Sequence, residues 1–199
     1  MSKITVFTNL TLDGVMQAPG RPEEDTRGDF KHGGWAAPFA AMSEAGDSLA
    51  FTGALLFGRR TYEDFYSFWP NQKDNPFTEI LNNVQKYVAS TTLEEPLPWS
   101  NSILLKGDAT KALSKLKAEQ DKDFLIFGSG VLVQSLMNEN LIDEYVLLIH
   151  PLILGSGRRL FPDGGVFTAL NLQNTKTTSK GVVIATYKPT NRVPEIPGE

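Results

Sequence analysis

From near its start to residue 187 the chain alternates short apolar runs rich in β-branched residues with stretches whose apolar positions recur at helical spacing. Few folds accommodate that alternation. A helix placed between two strands packs on a sheet face, and the strands it joins then run parallel and are covered on both sides. Eight strands are expected, at 4–8, 54–57, 86–89, 103–106, 124–127 and 144–150, with a closing pair at 172–178 and 182–187. Helical stretches fall at 38–44, 61–68, 78–83, 109–119 and 131–138. The closing pair is joined by Ser179-Lys180-Gly181, a hairpin-like connection, so the sheet should end antiparallel. No internal repeat or break in composition divides the chain. The expectation is one α/β domain over residues 1–188, a mostly parallel sheet with helices on both faces, followed by a proline-rich tail at 189–199.

Composition then removes function classes. The 199 residues suffice for a full core and a cleft. With 21% charged residues and a formal net charge of -4, the chain lacks the basic excess that nucleic-acid binding calls for. It has no cysteine, which excludes disulfides, thiol nucleophiles and thiolate zinc sites. No apolar run approaches the roughly 20 residues of a membrane span, and the start MSKITVFTNL has no signal-peptide core. A cytoplasmic location is expected, with no membrane partner.

Two strand-to-helix junctions carry the chemistry. In "LLFGRRTYEDF" a buried strand ends at Gly58 and meets Arg59 and Arg60. Thr61 and Asp64 have the spacing of a helix start signal, which leaves the arginines as solvated side chains. Alternatively, a strand entering a helix N-terminus beside two guanidiniums is suited to a phosphate, because unpaired N–H groups and the helix dipole favour an anion there. In "FLIFGSGVLVQSLMNENLIDEY" a strand passes through Gly128-Ser129-Gly130 into a helix. Glycine is needed where a backbone must approach a pyrophosphate closely, but a tight structural turn uses the same residues. The stretch is not a Rossmann fingerprint, since the third glycine would fall at Val133, and no G-K-[ST] of a P-loop occurs.

The combination and order of "LDG" after the first strand, "FGRRT" after the second, "VAST" after the third and "FGSGVL" after the fifth resembles the dihydrofolate reductase-like superfamily. Within it, the chain more closely resembles the branch typified by the reductase domain of bacterial riboflavin biosynthesis. "HPLILGSGRRLF" adds to the resemblance, which covers residues 3–187. The resemblance implies a dihydrofolate reductase-like fold and NADPH as cofactor. Its phosphates would lie against Gly58, Arg59, Arg60 and Thr61 and against Gly128, Ser129, Gly130, Val131 and Leu132, with Ser90 and Thr91 toward the adenosine. By family position Arg59 takes the 2′-phosphate and Arg60 lies nearer the pyrophosphate. A homodimer is common in this branch.

The acids of the relatives are missing. The carboxylate that folate-reducing enzymes carry five or six residues after a tryptophan would fall, from Trp35, at Ala40 or Ala41, and Met42 stands near the spacing taken back from Gly58. The E-G-G of riboflavin-pathway relatives is replaced by Phe127-Gly128-Ser129. Glu44 and Asp47 are nearby and equally suit a solvated helix face. Asp13, beside Gly14 at the end of the first strand, is the remaining candidate for proton transfer, although an Asp-Gly turn explains it as well. Trp35 with Phe39 or Phe65 could wall a flat ring, and Pro151, Leu154 and Gly155 could shape the substrate end, with Arg158 and Arg159 near an anionic group. His32 and His150 belong to no metal-ligand spacing, and H-x-E and P-C-x-x-C are absent. The reading is an NADPH-dependent reductase of a small heterocyclic or carbonyl compound. A non-catalytic dinucleotide-binding module stays open, favoured by the missing acids.

Overall fold

Strand β1 (Ile4–Thr11) has apolar side chains on both its faces, and both are buried, as a central parallel strand requires. The computed structural model describes residues 2–45, 53–73 and 75–191, and places β1 inside one eight-stranded sheet of order β4-β3-β2-β5-β1-β6-β8-β7. The other strands are β2 (Ala54–Gly58), β3 (Lys86–Ala89), β4 (Ser102–Leu105), β5 (Phe124–Phe127), β6 (Glu144–His150), β7 (Leu170–Thr177) and β8 (Val183–Pro189). The strands from β4 across to β6 are parallel, whereas β8 pairs antiparallel with both β6 and β7.

Helices cover both faces. Ile4, Val6, Leu56, Ile126 and Leu147 point to one core with α4 (Ala109–Glu119) and α5 (Gly130–Asn138). Phe7, Phe57, Leu125 and Leu148 point to the other, with α1 (Ala41–Glu44), α2 (Arg59–Phe68) and α3 (Pro76–Asn83). A third, smaller cluster of Val15, Ala18, Phe30 and Trp35 anchors the long loop after β1. The fold class is as expected, and the parallel strands end on one edge, where open α/β sheets open their clefts.

Boundaries differ where local geometry overrides pattern. α2 begins at Arg59, two residues before the T-x-x-D signal, because Gly58 is already the extended residue that precedes the helix (φ −78°, ψ 159°). The expected helix at 38–44 is broken by Ala40 in the left-handed region (φ 50°), which separates a 3-10 turn, Ala37–Phe39, from α1. β1 runs to Thr11, since its pairing with β6 continues to Thr11 opposite His150. Asp47 and residues 192–199 of the tail lie outside the described residues.

Candidate functional site

The two strand-to-helix turns meet. At the end of β2 the Gly58 N–H donates to Ser129 Oγ at 2.9 Å, and Ser129 Oγ in turn donates to Thr61 Oγ1 at 2.9 Å. Gly128 and Ser129 are both left-handed (φ 58° and 59°), so the chain leaving β5 turns sharply into α5. Gly128 N–H is tied to Phe7 O of β1 at 3.3 Å. Neither Gly58 nor Ser129 caps its helix with a side-chain oxygen. The first-turn N–H groups of α2 and α5 therefore remain available to an anion, and both helix dipoles favour one.

These turns open on a cleft of about 1330 Å³. All eleven residues expected to hold the cofactor line it: Gly58, Arg59, Arg60 and Thr61 on one side, the segment from Gly128 to Leu132 on another, and Ser90 and Thr91 after β3. Arg59 lies 3.4 Å from Glu63 across one helical turn, a pair that is nearly half exposed and worth little. Arg60 is exposed and has no ionic partner among the described residues. Ser90 Oγ accepts from the N–H groups of Thr92 and Leu93 at 3.1 and 3.0 Å, so it shapes the turn, while Thr91 is exposed beside it. Around the glycine turn only Met16 is close: a Cβ built on Gly130 would stand 2.8 Å from its Sδ, and one on Gly128 3.9 Å from its Cε.

Most residues expected for catalysis and substrate binding lie apart from the cleft lining. Asp13 does not line the cleft; its carboxylate accepts from Thr11 Oγ1 (2.6 Å), Leu154 N–H (3.2 Å) and Gly155 N–H (2.8 Å), and ties the loop after β1 to the segment after β6. The Thr11 hydroxyl, followed by these backbone donors, lowers its pKa, which suits a fixed anion and not a proton donor. Leu154 and Gly155 serve that same tie, and neither they, Gly14 nor Pro151 reach the cleft. Trp35 is buried beneath the loop with its indole N–H on Gln17 O at 2.7 Å. Glu44 instead joins α1 to the β7–β8 hairpin, accepting from Ser179 N–H and Oγ at 3.0 and 2.8 Å. Phe65, Arg158 and Arg159 do line the cleft, whereas Phe39 does not.

Other residues take those places. Arg21 pairs with Asp64 of α2 and lies over the Phe68 ring, 4.2 Å from its centroid, which pins the loop to the helix beside the cleft. Burial raises the pKa of Asp64 against the pull of Arg21, and burial likewise raises that of Glu24. Both carboxylates line the cleft. Asp64 stood inside a stretch already singled out, but Arg21 and Glu24 sit in an aperiodic loop that pattern cannot place. Asn9 was signalled only as a polar residue in an apolar strand, and it lines the cleft on the α1 and α2 side of the sheet. Among the described residues no group of three or more His, Cys, Asp and Glu side chains could hold a metal ion, and no helix is long and apolar enough to cross a membrane.

A model of the RibD C-terminal domain matches residues 2–184. Two uncharacterized proteins of Bacillus subtilis strain 168 are similar to the chain. YwjB is 36% identical over 182 residues, covering 90% of this chain and 94% of its own, and YyaP is 32% identical over 146 residues, covering 71% and 76%. Among solved structures, RibD of Acinetobacter baumannii superposes with a TM-score of 0.63 at 17% identity, over 96% of this chain and 58% of that one. Dihydrofolate reductase of Enterococcus faecalis, complexed with NADP(H) and RAB-propyl, gives 0.60 at 15% identity, over 95% and 97%. These two likenesses are of fold.

Proposed function

The chain belongs to the RibD C-terminal domain family, and from that premise we propose that it is an NADPH-dependent reductase of a small heterocyclic or carbonyl compound. One observation carries the proposal: Ser129 joins the turns after β2 and β5, so that two helix N-termini and two arginines face one cleft. The residues fit the cofactor. Gly128 and Gly130 present bare backbone to the cleft, and the nearest obstacle is the flexible end of Met16 rather than any backbone atom. Thr61, Ser129 and the first turns of α2 and α5 would take the pyrophosphate, Arg59 and Arg60 the remaining phosphate charge, and Thr91 the adenosine side.

Bound there, the nicotinamide supplies a hydride to an electron-poor carbon. The protein's share is to align the reactants, exclude water and hold a proton. Phe65 and Phe127 supply apolar wall, and the Arg21–Asp64 pair closes the loop over the side. Glu24 and Asp64, whose pKa values burial raises, are the carboxylates of the cleft lining that would serve in that role.

A homodimer belongs to the same proposal. β7 is a sheet edge with nearly every residue exposed, and Leu172 on it is an exposed apolar side chain. A cytoplasmic setting, a small-molecule substrate and no nucleic-acid partner complete it. The test is oxidation of NADPH, followed by its absorbance, across quinones, aldehydes, nitro compounds and dihydropterins. Turnover with at least one class is expected. Tight NADPH binding without turnover of any would return the chain to a binding module, and light scattering at monomer mass would remove the dimer.

A further inference from the structure

His150 is fully buried, yet it lies beside the cleft and serves no role described so far. It ends β6 on the same sheet face as Asn9, and its Nε2 lies 2.9 Å from Asn9 Oδ1. Trp35 and Phe39 stand edge-on to its ring, each at 5.1 Å between centroids. No charged side chain touches it among the described contacts, and its Nδ1 is a buried atom with no hydrogen-bond partner.

That last fact fixes the protons. An imidazole in an apolar sleeve stays neutral, so one nitrogen carries hydrogen and the other is a bare acceptor. A buried N–H without a partner is rarer and costlier than an unpaired acceptor. The hydrogen therefore sits on Nε2 and is donated to Asn9 Oδ1, while Nδ1 is left bare. Asn9 Oδ1 is thus occupied, and its amide NH₂ has no partner among the described residues and is not enclosed. Asn9 lines the cleft, whose lining also includes Phe65, Phe127, Ala37 and Ala41.

We propose that Asn9, held in one orientation by His150, is the donor that recognises a carbonyl or ring-nitrogen acceptor on the compound to be reduced, and that His150 is its positioning residue. This deepens the reductase reading and rests on it only in taking this cleft as the reactant's. An amide donor in the cleft wall selects flat compounds by where they carry an acceptor, and donation to a carbonyl oxygen also favours charge developing there.

The test uses the full chain without added dinucleotide, so that failure of the cofactor reading leaves it standing. Two compounds of the same shape serve as probes: acetophenone, which carries a carbonyl acceptor, and α-methylstyrene, in which a methylene replaces the oxygen. Their affinities are measured by ligand-observed NMR. A neutral hydrogen bond corresponds to about a three- to tenfold preference for acetophenone in the parent. Asn9→Leu should bring the ratio to about one with NADPH affinity unchanged. His150→Leu, which frees the amide to turn over, should reduce the ratio in part; a purely structural role would weaken both probes alike and leave it intact. Independently, ¹⁵N shifts of His150 should show hydrogen on Nε2. A parent without preference, including one that takes up neither probe, a ratio unmoved by Asn9→Leu, or hydrogen on Nδ1 would overturn the proposal.

Discussion

Ser129 Oγ accepts the Gly58 N–H and donates to Thr61 Oγ1, each at 2.9 Å, so one hydroxyl holds the start of α5 against the start of α2. The link crosses from β5 to β2, neighbours in the sheet though far apart in sequence. Ser129→Ala leaves the Gly58 N–H without its partner and lets the two turns drift. A loss of about 1 kcal/mol of stability is expected, together with a three- to tenfold weaker Kd for NADPH. Thermal unfolding and fluorescence titration measure the two. Unchanged cofactor affinity would mean that the link serves the fold alone.

Met16 covers the glycine turn and must move when a dinucleotide arrives. With four methionines in the chain, ¹³C-methyl NMR isolates its signal. NADPH should shift the Met16 methyl more than any other. In the same frame Gly130→Val should abolish NADPH binding while the Tm stays within a few degrees, since the added carbons meet only that flexible side chain. A silent Met16, or a Gly130→Val protein that binds normally, would put the dinucleotide elsewhere.

Asp13 should behave as a tie. Asp13→Asn keeps the shape but weakens the acceptor for Thr11, Leu154 and Gly155, which lowers the Tm by a few degrees with NADPH affinity unaltered. Because its native pKa is lowered, the tie is complete above the ordinary carboxylate value of 3.8 and is lost as pH falls through the lower native value. Loss of turnover at unchanged Tm would instead restore the chemical role expected from sequence.

His150 gives stability a pH dependence. Burial lowers its pKa from 6.5 to about 4, so between those values the unfolded chain binds more protons than the native one. Stability should therefore fall as pH drops from 6.5 toward 4, by up to about 3 kcal/mol. Glu24 and Asp64, with raised pKa values, act in the opposite sense. Urea titrations of the parent and of His150→Leu, compared across this window, isolate the imidazole. Parallel curves would show that it titrates freely.

The two strand-to-helix turns proposed to hold phosphate were legible because each is local: a strand end, a glycine and a helix start lie within one stretch of sequence, and Gly58 and Gly128 each sit in one. The reactant end was not. Asp13, Glu44 and Trp35 satisfy plausible spacings, yet each is consumed by a partner distant in sequence: Gly155, Ser179 and Gln17. Arg21 reaches Asp64 across 43 positions from a loop without periodicity. Asn9 and His150 come together only through the pairing of β1 with β6. Helix starts were misjudged for a related reason, since Gly58 and Ala40 set them by backbone conformation rather than by side-chain signal.

The central claim is that this cleft binds NADPH and that its arginines choose it. NADP carries a phosphate that NAD lacks, and a guanidinium offers it paired donors. Arg59 is drawn toward Glu63, whereas Arg60 is uncommitted, so the titration is made on Arg59→Ala and Arg60→Ala separately, at low salt to limit screening. A charge-assisted contact contributes about 1.5–3 kcal/mol, or about 10- to 100-fold in Kd. The parent should prefer NADPH, and one of the two variants should lose that much affinity for NADPH while its NADH affinity stays within about twofold. Equal affinities for NADPH and NADH in the parent, or equal losses for both in each variant, would contradict the claim.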